Sequence, residues 1–395
     1  MSALNREIQD YLQQSSWIRR MFETGAKLKK QHGADQVHDL SLGNPDLPPP
    51  ASVGQGLTSI AGQAQEPYAF GYMPNAGYEK VREVLAAELQ KEQGVEVGAQ
   101  DLVLTCGAAG ALNSLFRAVL EPGEEVLCPA PYFVEYGFYV ANHRAGLKPV
   151  PCREHDFHLD LEAIEAGINE KTRIVLINSP HNPTGQVYSR QELQELCSIL
   201  SHKSSKMSRP IFLASDEPYR FLTYDGCEVP SILPMYQHSL VVSSFSKSHS
   251  LAGERVGYIL PHPGMPEQAE LMQGLIFANR VLGFVNAPAI GQQLLPHILG
   301  QGVDVGLYQA RRDAMQQVLS QAGYSFVLPK GGFYFFPKAP GGDDVQFVSR
   351  LQQELVLAVP GSGFGCPGYF RLAFCVPEEV IRRAGPGLEK AARDL

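Results

Sequence analysis

From about residue 100 onward, short apolar runs alternate with longer stretches of helical periodicity. DLVLT (101–105), EVLCP (125–129), TRIVLINSP (172–180), PIFLASDEPY (210–219) and LVVSSFS (240–246) are nearly continuous in apolar residues, as strands buried on both faces are. Between them, GALNSLFRAVL (110–120) and SRQELQELCSIL (189–200) carry the three-to-four spacing of helices, the second with Ser189 placed as an N-cap. Strands alternating with helices predict an α/β fold: a mostly parallel sheet covered by helices on both faces. Ahead of it, residues 3–31 read as one or two helices, GNPDLPPP (43–50) as an extended Pro-rich passage, and 79–93 as another helix. After about residue 290 the texture changes. GYSFVLPKGGFYFFPKAP (323–340) predicts a hairpin pair of strands and YFRLAFCV (369–376) a further strand, flanked by helices. The expected division is a segment 1–50 that joins a small domain, a large domain over 51–288, and a smaller α+β domain over 289–395.

Composition narrows the function more than the fold. At 395 residues, 44% hydrophobic and 19% charged, the chain suits a two-domain globular protein. A net charge of -8 without a Lys/Arg stripe argues against nucleic acid as a partner. The densest basic cluster, Lys27, Lys29 and Lys30, falls on a helical stretch and predicts a solvated face. Seven cysteines stand singly, with no C-x-x-C pair, which gives no zinc or thioredoxin motif; their odd number argues against a disulfide framework and for reduced thiols in the cytoplasm. The first residues lack an apolar signal core, and no apolar run is long enough to span a bilayer. No export and no membrane partner are therefore expected.

The chemistry collects where ligands of open α/β sheets collect, just past the carboxyl ends of the strands. After DLVLT comes Cys106-Gly107-Ala108-Ala109-Gly110, a small-residue turn into a helix that suits an anion. After TRIVLINSP comes His181-Asn182-Pro183-Thr184-Gly185, where the Asn-Pro bond disfavours helix and is open to the cis form. After PIFLAS come Asp216, Glu217 and Tyr219; a strand's period of two sends the adjacent acids to opposite sides, with Asp216 toward the cleft. After LVVSS comes Lys247, preceded by Ser244 and Ser246 and followed by Arg255 between Gly253 and Gly257. A partly desolvated lysine near another cation is a nucleophile for carbonyl carbon, and an arginine fork suits phosphate. Singly, each stretch has an ordinary structural explanation: a Gly/Ala turn, an N-P-x-G turn, a helix-capping acid, a solvated lysine. Their conjunction at the ends of successive strands is what points to a site.

In that conjunction the chain resembles the class I/II aminotransferases, the fold type I family dependent on pyridoxal 5′-phosphate. The likeness runs from about Leu40 to Val376. SFSKSHSLAGERVGY resembles the family's S-x-S-K-x-x-x-x-x-G-x-R-x-G box, HNPTG its N-P-T-G and DEPY its D-E-x-Y. GYMPNAGYEKVRE (71–83), APYFVEY (130–136) and PGSGFG…YFRLAF (360–374) resemble three further family segments. The resemblance implies that Lys247 holds the cofactor as a Schiff base and moves the substrate proton, while Asp216 pairs with the pyridine nitrogen. It implies that Asn182 and Tyr219 bond the phenolic oxygen and that Phe133 stacks on the ring. The phosphate would be held by Ala108, Ala109, Ser244 and Arg255, with Tyr72 reaching over from a second subunit of a homodimer. Arg371 would clamp the substrate carboxylate, assisted by Asn182 and the Gly43 backbone. The implied activity is ping-pong transfer of an amino group from an L-amino acid to a 2-oxo acid.

Departures from the aspartate-type pattern are Ala109, where a lysine is common, and Arg280, one position from the arginine used for a side-chain carboxylate. Arg280 fits either that purpose or a pairing with a surface acid, and aspartate specificity stays open. Glu254, in a place where an apolar residue is common, has no explanation in the sequence. A β-eliminating lyase acting on cysteine conjugates uses the same cofactor and fold and is the alternative. A transcription-regulator role would need a helix-turn-helix arm, for which the first 40 residues are too short, and a catalytically dead paralogue would not keep every polar position filled.

Overall fold

The computed structural model describes residues 3–14 and 16–393. Its large domain is built on seven strands: β1 (Val103–Cys106), β2 (Glu125–Ala130), β3 (Gly146–Pro151), β4 (Thr172–Asn178), β5 (Phe212–Asp216), β6 (Ser239–Ser244) and β7 (Val256–Pro261). Their order across the sheet is β1-β7-β6-β5-β4-β2-β3. All are parallel except β7, which runs antiparallel to both β1 and β6. This is the expected α/β sheet, and β4, β5 and β6, whose apolar runs are nearly continuous, are buried along their whole length, as is β7. β3 lies at an edge, and its sequence GLKPVP, with two prolines and a half-exposed lysine, carries no such run. β7, VGYILP, is absent from the sequence expectation because its run begins inside the Lys247–Gly257 stretch and is interrupted at once by Gly257.

Alternate residues of these strands feed two cores, as the pleat requires. Leu104, Leu127, Val175, Ile177, Leu213, Val241 and Leu260 point to one side, where helix Arg190–Ser204 lays down Leu193, Leu196 and Leu200. Val103, Val126, Ile174, Leu176, Ala214, Val242 and Ile259 point to the other, covered by Leu112, Leu115 and Phe116 of helix Gly107–Val119. Each such leucine, wholly withdrawn from water, contributes about 2 kcal/mol. Ser189 caps its helix as its position implies: its hydroxyl accepts from Glu192 N at 3.2 Å while the Glu192 carboxylate accepts from Ser189 N at 2.8 Å.

A second core gathers Leu40, Tyr308, Met315, Phe335, Phe347, Phe370, Leu372, Ile381 and Leu388. The N-terminal segment enters it directly. His38 and Asp39 pair in parallel with Val356 and Leu357, and Ala373 N donates to the Leu40 carbonyl at 2.7 Å. Helix Ala51–Gly62 then leaves for the large core, carrying Val53 and Ile60. Helix Ala289–Ile298 sits with that same core through Leu294, Leu295 and Ile298, so by packing it goes with the large domain rather than opening the small one.

One local expectation holds and one changes. Residues 3–31 form two helices, Arg6–Gln14 and Ser16–His32, with Ser15 outside the described residues. The hairpin over 323–340 does not form. Only Tyr334–Phe335 is a strand, and it pairs antiparallel with Phe370–Ala373. The would-be partner strand is redirected: Lys330 N and Gly331 N both donate to the Gly185 carbonyl, at 2.9 and 3.0 Å. The small domain is thereby tied to the HNPTG loop. No described helix is long and apolar enough to cross a membrane, no described cluster of side chains could hold a metal ion, and all seven cysteines are free thiols.

Candidate active site

The carboxyl ends of β1, β4, β5 and β6 open into one cavity of about 380 Å³ between the two domains' contributions. Of the residues singled out in the sequence, Gly43, Ala108, Ala109, Phe133, Asn182, Asp216, Tyr219, Ser244, Lys247, Arg255 and Arg371 all line it. Tyr72 does not. It is 97% exposed and lies in a separate shallow cleft with Phe70, Phe284 and Val285. Arg280 is also elsewhere, exposed at the end of its helix with its guanidinium 5.6 Å from the Phe277 ring centroid. Glu254 is half-buried, its Cβ close behind the backbone of Gly291.

Asp216 is the last residue of β5 and is buried. Its Oδ2 accepts from the Tyr136 hydroxyl at 2.6 Å, while Oδ1 has no hydrogen-bond partner among the described residues. Burial lifts its pKa to about 7; the Tyr136 bond opposes the rise and the neighbouring Glu217 adds to it. Glu217 faces the other way, as the strand period requires, taking Ser215 Oγ at 2.7 Å and Arg220 Nη1 at 3.0 Å. Asp216 is thus an acceptor held rigidly in the cavity, with one oxygen left for a cationic or N–H partner.

Lys247 sits in a single helical turn, Phe245–Ser248, at the end of β6. Its Nζ donates to the Gly43 carbonyl at 2.6 Å. Burial lowers its pKa to about 8, with the nearby Arg371 and Arg255 cations pushing the same way and Cys375 opposing. A good fraction of the amine is therefore neutral and nucleophilic near physiological pH. Gly43 can approach this closely only because it lacks a side chain: a Cβ there would lie 1.9 Å from the Tyr334 hydroxyl oxygen.

Arg371, on the small-domain strand Phe370–Ala373, is buried between the rings of Tyr334 and Phe364, 4.5 and 4.8 Å from their centroids. Nη1 donates to Asn182 Oδ1 at 3.0 Å and Nη2 to the Ser41 carbonyl at 2.8 Å, while Nε has no partner. Its fork is thus held from behind by both domains. Asn182 follows a serine-proline turn, and its bond to Pro183 is cis. Tyr219 and Tyr334 share a hydrogen bond at 3.0 Å across the cavity.

At the far end, the helix starting at Gly107 presents Ala108 and Ala109 beside Ser244 and Arg255. Gly257 makes this possible, since a Cβ there would meet the Gly107 carbonyl carbon at 2.5 Å and Ser243 O at 2.6 Å. Gly253 meets nothing within 4 Å, so its lack of a side chain answers no contact. Arg255 holds a left-handed backbone at φ 53°, which costs a non-glycine residue about 1 kcal/mol. That conformation turns an exposed guanidinium over the helix start, an arrangement suited to a phosphate.

The matching family model, aminotransferase class I and II, covers residues 35–385. The chain belongs to the class I and II aminotransferases. Its sequence is 32% identical to the aspartate aminotransferase of Thermotoga maritima over 374 residues, covering 93% of this chain and 94% of that one. It is 30% identical to a probable aspartate/prephenate aminotransferase of Aquifex aeolicus over 386 residues, covering 94% of each. Among solved structures, an aminotransferase from Eubacterium rectale matches with a TM-score of 0.95 at 37% identity, over 100% of this chain and 99% of that one. The aminotransferase fold is thus shared along the whole chain.

Two residues of this aminotransferase site went unnoticed in the sequence. Tyr136, inside APYFVEY, is buried and, among the described residues, is the one hydrogen-bonding partner of Asp216's side-chain oxygens. Asn178 joins two site segments: its Nδ2 donates to the Asp216 carbonyl and its Oδ1 accepts from Asn182 N, both at 2.7 Å. For Asn178 the signal was available, an amide at the very end of an apolar strand. Tyr136 lies in the short helix Glu135–Ala141 that follows β2, 80 residues away from Asp216.

Proposed function

We propose that the chain is a pyridoxal 5′-phosphate-dependent aminotransferase that moves the amino group of an L-amino acid to a 2-oxo acid by a ping-pong route, with the cofactor held covalently by Lys247. The observation that carries this is Asp216 Oδ1, a buried carboxylate oxygen without a partner, in the same cavity as a lysine whose pKa is depressed to about 8. A buried acceptor of this kind is costly unless something fills it, and a protonated ring nitrogen would. The remaining residues fit the rest of the cofactor: Ala108, Ala109, Ser244 and Arg255 suit its phosphate, Phe133 its ring face, Asn182 and Tyr219 its phenolic oxygen. When bound, the cofactor supplies an electron sink that makes the substrate's Cα–H acidic.

The chain's own residues divide the remaining work. Arg371 orients the substrate through its carboxylate, with its fork pre-set by Asn182 and Ser41. Lys247 Nζ would take the proton from the substrate's Cα and deliver it to the cofactor carbon that keeps the amine, the net shift that transamination requires. The Gly43 carbonyl, 2.6 Å from Nζ, keeps the lysine amine aimed into the cavity. Phe133, Tyr334 and Phe364 exclude water from the reacting atoms.

A homodimer belongs to this proposal. Tyr72, Tyr68 and Phe70 are 97%, 90% and 47% exposed, an apolar surface that a second copy would cover while bringing Tyr72 to the partner's phosphate end. The test is the half-reaction of the enzyme with excess glutamate and no added 2-oxo acid, so that each site can react once. One 2-oxoglutarate formed per site without ammonia supports transamination. Pyruvate and ammonia released from a β-substituted amino acid, with no amine retained, would assign the β-eliminating lyase instead.

A further inference from the structure

The amino-terminal ends of β4, β5 and β6 border a surface groove of about 950 Å³, at the edge of the sheet opposite the catalytic cavity. Arg173, the second residue of β4, lines it and is 8% exposed. Five residues separate it from Asn178 along the strand, roughly 17 Å at the usual rise. Its guanidinium lies 4.8 Å from the centroid of Phe212, and Nη1 donates to the Pro210 carbonyl. Nε is buried without an acceptor. Among the described residues Arg173 has no ion-pair partner, and the nearby Glu124 is already held by Arg209 at 2.8 Å. His238 lines the same groove with its ring edge-on to Phe212 at 6.3 Å; its backbone carbonyl accepts from Leu213 N, and its ring nitrogens make no hydrogen bond among the described residues.

Buried charges in proteins are ordinarily paired, because desolvation disfavours a lone ion. Arg173 feels that penalty: burial, and then the Arg209 cation, lower its pKa to about 10, with Glu124, Glu121 and Tyr236 only partly opposing the fall. Nothing in the aminotransferase chemistry uses it. We propose that this groove binds a small oxyanion, a phosphate or a carboxylate, with Arg173 as the anchor and His238 beside it. The planar fork, held against Phe212, suits either group through paired N–H donors. Glu267 and Glu270 also line the groove, but both are exposed, where water and salt screen them.

The probe is inorganic phosphate, and separately acetate, titrated calorimetrically into the holoenzyme so that the catalytic phosphate pocket is already filled. Wild type should bind saturably, and Arg173→Met should bind at least about tenfold more weakly, the loss expected for charge-assisted hydrogen bonds. kcat at saturating substrates should not change in that variant, which separates this site from any carboxylate binding at Arg371. Tighter phosphate than acetate assigns a phosphorylated ligand, and the reverse a carboxylate. Should Arg173→Met fail to fold by circular dichroism, His238→Ala takes its place and should weaken binding severalfold. Equal binding by wild type and the folded variant, or no saturable binding of either anion by wild type, would overturn the proposal.

Discussion

Asp216→Asn isolates the partnerless carboxylate oxygen at the bottom of the cavity. The substitution keeps the shape and removes the charge. Tyr136 would still donate to the amide oxygen at the Oδ2 position, so the amide N–H₂ would face the position now occupied by Oδ1. An amide donor there favours an unprotonated ring nitrogen, whereas the carboxylate favours the protonated one. At an effective dielectric of about 20 and a hydrogen-bond separation of about 3 Å, the lost attraction is on the order of 5 kcal/mol. If most of it is felt in the transition state, kcat falls by about three to four orders of magnitude. The assay is steady-state transamination alongside cofactor content by visible absorbance, because Lys247 is untouched and the cofactor should remain attached. An Asn variant within about tenfold of wild-type kcat would refute the role given to Asp216. The same variant has a signature without cofactor. In the folded apo form the Asp216 pKa is about 7, against 3.8 for the ordinary side chain. Between these values the folded state keeps a proton that the unfolded chain has lost, so this group's contribution to stability declines as pH rises from about 4 to about 7. The full difference, about three pK units, amounts to at most about 4 kcal/mol. Apo Asp216→Asn should therefore gain thermal stability relative to apo wild type across that window and hold the gain above it.

Lys247, with its pKa lowered to about 8, should capture pyridoxal 5′-phosphate at a rate that rises with pH through about 8 in apo wild type; a midpoint at the ordinary lysine value of 10.5 would contradict the burial argument. Arg371→Ala should raise KM for the amino donor and the 2-oxo acid alike, by about tenfold to a hundredfold, while the cofactor absorbance stays. Gly43→Ala would place a Cβ 1.9 Å from the Tyr334 hydroxyl, and should lower stability by about 1–3 kcal/mol in denaturant melts. Adding Tyr334→Phe should recover part of that loss, since the hydroxyl is the nearest obstruction.

The parts of this site legible in sequence were those whose chemistry coincides with a strand end. Asp216, Lys247 and Asn182 each follow an apolar run, and the run announces both the strand and the position of the residue after it. Strands buried on both faces, such as β4 and β5, announced themselves for the same reason. Edge strand β3 did not, because its prolines and lysine meet solvent. The failed hairpin at 323–340 shows the limit of local pattern: the apolar alternation is present, but the N–H groups of Lys330 and Gly331 go to Gly185, nearly 150 residues earlier, by long-range geometry that no window contains. Tyr136 escaped for a related reason, since the identity of Asp216's partner depends on how β2 and β5 pack across β4. The surroundings of Tyr72 differ again. The role proposed for it needs a second subunit, and in one chain it stands in solvent.

The most direct test of the whole account is Lys247→Ala, purified with excess pyridoxal 5′-phosphate and compared with wild type after borohydride reduction. Wild type should carry the reduced cofactor as a mass adduct on the peptide that contains Lys247 and should turn over amino donor and 2-oxo acid. The variant should carry no adduct and lose nearly all turnover. An adduct on another lysine, or a variant that transaminates at the wild-type rate, would contradict the account.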